Sequence, residues 1–125
     1  MKGLKSNLPT LGLFALASFL LFFRLGEKSY WSDEAYSAMV IQRPWSEMLV
    51  EVGHDVHTPL YWVTLKIWSM VFGAGEFATR SLSALFALGA LAIFFGIVRK
   101  DKMLPGFTGW LAALLLACSP FWLLY

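Results

Sequence analysis

The chain has 125 residues, of which 58% are hydrophobic and 14% are charged, whereas about a quarter of the residues in an ordinary soluble domain are charged. With a mean hydropathy of +0.64, this composition argues against a soluble globular protein, and the net charge of +2 carries no signal for nucleic-acid binding. The single cysteine, Cys118, excludes an internal disulfide. The composition therefore predicts an all-α membrane protein.

Three apolar segments, residues 8–23, 77–98 and 103–125, approach the roughly 20 apolar residues that a transmembrane helix needs. Lys2 and Lys5 precede the first segment, as basic residues do in a signal peptide. No small residues in a cleavage-site pattern close that segment, so it is predicted to be an uncleaved anchor. The sequence thus predicts three transmembrane helices and a large loop, residues 24–76, between the first two.

A fourth apolar segment, Leu60–Phe72, is short for a span, contains Lys66, and is bounded by Pro59 and Gly73. Basic residues on short loops favour the cytoplasmic side, and both the N-terminus and the loop after Val98 are basic. An even number of crossings must then separate them. The segment is therefore predicted to lie at the outer surface, with the N-terminus cytoplasmic and the loop outside the cytoplasm.

Short juxtamembrane helices are predicted in the outer loop. Ser32 is expected to cap a helix that runs to about Gln42. Pro44 suits the first turn of a second helix that ends at Gly53. In this second helix, one apolar face follows the spacing i, i+3, i+4, i+7; its residues are Trp45, Met48, Leu49 and Val52.

Most of the carboxylates fall in the outer loop, which makes it the place to search for chemistry. Asp33 and Glu34 stand in the first turn of the first loop helix, where acidic residues favour the helix dipole. The same carboxylates have a second interpretation, in which one of them is a general base at the membrane surface. The seven acidic residues of this loop, out of eight in the chain, are Glu27, Asp33, Glu34, Glu47, Glu51, Asp55 and Glu76.

The basic residues and histidines near this loop also have two interpretations. Arg80 stands about one turn inside the second span, where an arginine either pairs with a loop carboxylate or binds an anionic headgroup or phosphate. Lys66 is a weaker candidate of the same kind. His54 and His57 have no third ligand nearby, so no metal site is predicted, and no cofactor is expected.

Four stretches of the chain, in order, resemble the N-terminal part of the GT-C glycosyltransferases. The resemblance is to the branch that contains the dolichyl-phosphate-mannose protein mannosyltransferases and the aminoarabinose transferases that modify lipid A. The stretches are distributed from residue 30 to residue 125, so the resemblance extends along most of the chain. They are YWSDEAY at 30–36, HTPLYW at 57–62, GEFATRSLSAL at 75–85 and SPFWLLY at 119–125.

The resemblance implies an enzyme that takes a sugar from a polyprenyl-phosphate carrier in the membrane and passes it to an acceptor outside the cytoplasm, with inversion. It implies that Asp33 is the general base and that Glu34 either positions the acceptor or assists the base. The candidates for binding the donor phosphate and the substrate are Arg80, His57, Tyr61 and Lys66. The expected partners are the lipid-linked donor and membrane lipids, and not nucleic acid.

The chain differs from this family in length. Family members have several hundred residues and many more spans, and the family's next motif, Ser-Gln-Glu-Ala-Arg, would be expected after Tyr125. The sequence is therefore interpreted either as the N-terminal part of a longer enzyme, whose remainder would be a partner, or as a truncated reading frame that encodes a pseudoenzyme, with activity of the 125 residues alone in doubt. Two alternatives are a non-catalytic membrane subunit bound to another membrane protein, and a transporter fragment, which the scarcity of polar residues in the spans disfavours.

Overall fold

A computed structural model describes residues 2–55, 58–100 and 106–119. Within these residues the chain is helical and has no β-strand, which confirms the predicted all-α class. The predicted surface segment, Leu60–Phe72, is a helix with those bounds, since Pro59 precedes it and Gly73 ends it with a φ of +90°. The helices are α1 (Lys2–Phe22), α2 (Ser32–Val40), α3 (Trp45–Gly53), α4 (Leu60–Phe72), α5 (Glu76–Lys100) and α6 (Gly106–Ala117).

Only one helix among the described residues is both long and apolar enough to cross a membrane. It is the Glu76–Val98 part of α5, with a mean hydropathy of 2.3. The apolar parts of α1 and α6, Leu8–Phe22 and Phe107–Ala117, are shorter. The structure therefore supports one of the three predicted spans by length and composition and does not support three. Residues 103–105 and 120–125 of the third predicted span lie outside the described residues.

The chain divides into two compact units, and the first contains residues 1–23 and 83–125. Its core joins α1, α5 and α6 through a mixture of large and small apolar side chains. Alanines let helix backbones approach closely, as at helix contacts in membranes. Phe14 of α1 meets the edge of Phe95 of α5 with ring centroids 6.3 Å apart. The buried residues are Leu13, Ala17, Leu91, Phe95, Ala113 and Ala117.

The second unit, residues 24–82, packs α2, α3, α4 and the first turns of α5 around one apolar core. Met48 and Val52 of α3 are fully buried there, whereas Trp45 and Leu49 of the same predicted apolar face remain 38% and 48% exposed. The apolar face of α3 is thus narrower than its sequence spacing indicates. The core residues are Val40, Ile41, Met48, Val52, Trp62, Leu65 and Leu82.

The ends of α2 and α3 differ from the predicted ones by one or two residues. Ser32 is the first residue of α2 and not its cap, because Trp31 occupies the cap position with extended backbone. The helix ends at Val40, before the predicted Gln42. Pro44 caps α3 from outside its first turn. Such shifts are ordinary at helix ends, where only a few backbone groups change partners.

Candidate functional site

Arg80, in the second turn of α5, is the centre of the most extensive polar contacts in the second unit. Its guanidinium is forked onto the carboxylate of Glu34, with Nε 2.9 Å from Oε1 and Nη2 2.7 Å from Oε2. The Arg80 side chain is only 12% exposed and that of Glu34 29%. A two-bond pair of this kind fixes orientation as well as distance, so α2 is held to the start of α5.

The remaining N–H groups of Arg80 bind the backbone of the loop that precedes α2. Nη1 donates to the carbonyls of Leu25 and Lys28 at 2.9 and 2.8 Å, and Nη2 donates to the carbonyl of Ser29 at 3.1 Å. An arginine has five N–H donors, and here all five bind within the protein. We call Arg80, Glu34 and the backbone of residues 25–29 the arginine clamp.

Glu34 has two partners, which explains why it stays ionised. Besides Arg80, its Oε2 accepts the backbone N–H of Trp31 at 3.0 Å, which satisfies a donor at the start of α2. The hydrogen bond from Arg80 lowers the pKa of the Glu34 carboxyl, partial burial acts in the opposite direction, and the Trp31 N–H lowers it further. Both carboxylate oxygens of Glu34 therefore have partners within the protein, and its role towards the acceptor stays a prediction.

Tyr30 supports the clamp from the other side of the arginine. Its hydroxyl donates to the carbonyl of Ala74 at 2.8 Å and lies 3.1 Å from the hydroxyl of Thr79. Its ring centroid is 5.6 Å from Cζ of Arg80, within the range of a cation–π interaction. The segment before α2 is thereby bound at Tyr30 as well as at residues 25–29.

Asp33, the predicted base, differs from its neighbour. It is exposed in the first turn of α2, and its Oδ1 accepts a hydrogen bond from the Ser32 hydroxyl at 3.3 Å. Within the described residues none of the salt bridges includes it. The arginine clamp therefore fixes the helix turn that carries Asp33, while the carboxylate of Asp33 remains accessible.

Lys66 lies at the C-terminal end of α2, away from the arginine clamp, and binds backbone carbonyls there. It is 8% exposed, and its Nζ donates to the carbonyls of Ile41 and Arg43 at 2.7 and 2.6 Å, just past the end of α2. The ammonium also lies 5.1 Å from the Trp45 ring. A cation at a helix C-terminus complements the negative end of the helix dipole.

Lys66 and Arg80 therefore bind opposite ends of α2. This helix has nine residues, which corresponds to about 13 Å at 1.5 Å per residue. The sequence-based interpretation placed both cations among the donor-phosphate candidates, and the structure does not bring them together. Their binding of phosphate stays a prediction, and each now has identified partners within the protein.

The remaining candidates are Tyr61 and the two histidines. Tyr61, in the first turn of α4, is 40% exposed. His57 lies outside the described residues. His54 is exposed at the end of α3. Within the part of the chain that the structure describes, no three His, Cys, Asp or Glu residues form a group able to hold a metal ion.

A second polar network was not expected from the sequence. The Tyr36 hydroxyl donates to Oε1 of Glu51 at 3.1 Å, and Nη1 of Arg43 donates to Oε2 of the same carboxylate at 3.0 Å. Desolvation and the hydrogen bond to Glu51 raise the pKa of Tyr36. The network links α2 to α3, and only the alignment of Tyr36 with the core face of α2 hints at it in the sequence.

Comparison of the chain with known protein families, with curated proteins and with solved structures found no match.

Proposed function

We propose that this chain acts in glycosyl transfer at a membrane surface, moving a sugar from a polyprenyl-phosphate donor to an acceptor outside the cytoplasm, with Asp33 as the general base. The observation that supports the proposal is the contrast between two adjacent carboxylates. Glu34 is engaged by Arg80 and by the Trp31 N–H, whereas Asp33 is exposed on the turn that they fix. A base must be both accessible and well positioned.

The proposed step is a single displacement. An acceptor hydroxyl gives its proton to the Asp33 carboxylate while its oxygen attacks the anomeric carbon of the sugar. The bond from that carbon to the phosphate oxygen breaks, and polyprenyl phosphate leaves with the electron pair. Attack from the face opposite the leaving group inverts the anomeric configuration.

The proposal includes a multi-pass arrangement in the cell membrane. The spans are residues 8–23, 77–98 and 103–125, the N-terminus is cytoplasmic, and loop 24–76 is outside. The length and hydropathy of Glu76–Val98 support one crossing, and α1 is a continuous helix of 21 residues. The apolar part of α1, Leu8–Phe22, is shorter than the roughly 20 residues that a span needs, so the crossing by residues 8–23 is proposed from the sequence pattern alone.

The leaving phosphate needs a positive partner in this reaction. Arg80 and Lys66 were the candidates, and each can bind the phosphate only by giving up carbonyl partners inside the protein. We therefore assign Arg80 the role of positioning Glu34 and the turn that bears Asp33. Tyr61 stays a candidate for substrate contact because it is partly exposed.

The test uses the full 125-residue chain, reconstituted in liposomes with polyprenyl-phosphate mannose or polyprenyl-phosphate aminoarabinose. The assay measures release of polyprenyl phosphate in the presence of acceptor. We expect the Asp33→Asn variant to lose 10²-fold or more of the rate, on the order of the contribution of general-base catalysis. Glu47→Gln is the matched control, since Glu47 is an exposed first-turn carboxylate of α3.

Two results would contradict the proposal. If Asp33→Asn transfers sugar as fast as the unmodified chain, Asp33 is not the base. If the unmodified chain consumes neither donor, the 125 residues have no transferase activity towards these donors on their own.

A second candidate, a non-catalytic membrane subunit, is favoured by one specific observation. Arg80 and Lys66 both donate to carbonyl groups inside the protein, which is expected of cations that stabilise a fold. This candidate predicts that Asp33→Asn has no effect on any activity of an assembly containing the chain, whereas disruption of the arginine clamp weakens the assembly.

A further inference from the structure

The outward face of α4 is apolar and has no partner among the described residues. Its four residues, at positions 60, 67, 70 and 71, are spaced so that they lie along one side of the helix. Their exposures are 74% for Leu60, 54% for Ile67, and 71% for both Met70 and Val71. We call these four residues the outer face of α4. None of them is charged, so charge complementarity to a polar partner cannot explain the face.

The single charge on α4 points away from this face. Lys66 neighbours Met70 by helical spacing, yet it is buried, and two backbone carbonyls outside α4 accept its N–H groups. An ionisable side chain in a helix that contacts lipid behaves in this way, facing the protein and pairing with backbone carbonyls. In water, a lysine in a surface helix would ordinarily extend into the solvent.

Three uncharged polar side chains of α4 also have hydrogen-bond partners within the protein. The hydroxyl of Thr64 donates to the carbonyl of Leu60 at 2.7 Å, and that of Ser69 to the carbonyl of Lys66 at 2.8 Å. Trp68 Nε1 donates to the carbonyl of Ala78 at 2.9 Å. Such internal partners are required of polar groups in hydrocarbon, which offers no alternative.

The connection to α5 places this helix near the membrane. Residues 73–75 join Phe72 to Glu76, which limits the separation of those two Cα atoms to about 14 Å. The Glu76–Val98 segment has 23 residues and extends over about 34 Å at 1.5 Å per residue, close to the thickness of the hydrocarbon core of about 30 Å. The end of α4 therefore lies within one short connection of the bilayer boundary.

We infer that α4 lies along the membrane surface with its outer face inserted into the hydrocarbon of the leaflet that the start of α5 enters. The occupant of the face is lipid, and the apolar contact requires no anionic headgroup. The two tryptophans of α4 do not anchor it, since Trp62 is 5% exposed and Trp68 is half-buried against Ala78. The inference depends on α5 crossing the membrane and not on glycosyl transfer.

The test attaches nitroxide spin labels to the full chain in phosphatidylcholine liposomes. Labels are placed through Ile67→Cys or Val71→Cys in a Cys118→Ser background, and collisions with oxygen and with a water-soluble nickel chelate are measured. We expect both labels to collide with oxygen several-fold more, and with nickel several-fold less, than a label at Glu47→Cys. Unchanged circular dichroism would show that each variant is folded.

Two other outcomes would overturn the inference. Nickel collisions at positions 67 and 71 equal to those at position 47 would show that the outer face of α4 is in water. Low collision rates with both reagents would show that protein covers it, either another part of an assembly or a second copy of the chain. Since none of these readouts involves sugar transfer, they are independent of whether the chain is a transferase.

Discussion

Removing Arg80 tests whether the arginine clamp holds the turn that carries Asp33. In an Arg80→Met variant the side chain keeps an unbranched apolar stem, but Glu34 loses both bonds to the guanidinium and three loop carbonyls lose their donors. Breaking a fully buried ion pair from one side costs about 3–5 kcal/mol. Because Glu34 is 29% exposed, water recovers part of this loss, and we expect about 2–3 kcal/mol.

The clamp is local, so the measurement has to be local. Hydrogen exchange of the α2 amides reports the free energy of opening that segment, and a loss of about 2–3 kcal/mol corresponds to exchange about 30- to 140-fold faster. The matched control is Arg43→Met, which breaks a pair with Glu51 whose side chains are 37% and 34% exposed. Such a surface pair contributes about 0–1 kcal/mol.

Arg80→Lys separates charge from geometry. Lysine keeps the positive charge but cannot form the fork onto Glu34 or reach all three carbonyls, so we expect roughly half of the loss seen with methionine. If Arg80→Met changes α2 exchange no more than Arg43→Met does, the clamp does not hold α2 and the positioning role of Arg80 is wrong.

Three further outcomes are expected. The hydrogen bond from Arg80 lowers the pKa of Glu34 in the folded state. The stability that the ionised carboxylate adds is therefore complete above its ordinary pKa of 4.5 and is lost as pH falls through the lowered value. The difference in thermal midpoint between the unmodified chain and Glu34→Gln should shrink over that acidic range. Lys66→Met leaves two carbonyls without their donor and should cost about 2–4 kcal/mol, measured by unfolding in detergent, whereas exposed Lys28→Met should cost under about 0.5 kcal/mol. In a Cys118→Ser background, an impermeant thiol reagent should label Lys28→Cys from outside intact cells and not Asp101→Cys; labelling of position 101 would mean that α4 crosses the membrane.

The helices of this chain could be predicted largely from its sequence because their signals are local. A proline precedes α4 and a glycine follows it, so both of its ends are marked in the sequence. The apolar run from residue 77 to residue 98 leaves no alternative to a helix. The bounds of α2 were less accurate, since Ser32 and Trp31 compete for the cap and the outcome depends on Glu34 reaching back to the Trp31 N–H. That contact is itself fixed by Arg80, 46 residues away.

The candidate site was predicted only in part. Pairing of Arg80 with a loop carboxylate was one of two interpretations, but nothing in the spacing selects Glu34 over the other six carboxylates of the loop. The sequence also did not predict which side of α4 faces the protein core. Trp62 and Trp68 suit a membrane interface by residue type, yet Trp62 fills the core and Trp68 bonds to the start of α5.

Backbone carbonyls explain why the roles of the two cations could not be predicted. An arginine or lysine in an apolar segment must find negative partners, and carboxylates are the only ones that a sequence displays. Here Arg80 has three carbonyl partners besides its one carboxylate, and Lys66 has two carbonyl partners. Every residue has a carbonyl group, so such partners leave no sequence signal. A cation near the start of a span is therefore evidence for a phosphate site only after the carbonyls of the neighbouring loop have been shown not to bind it.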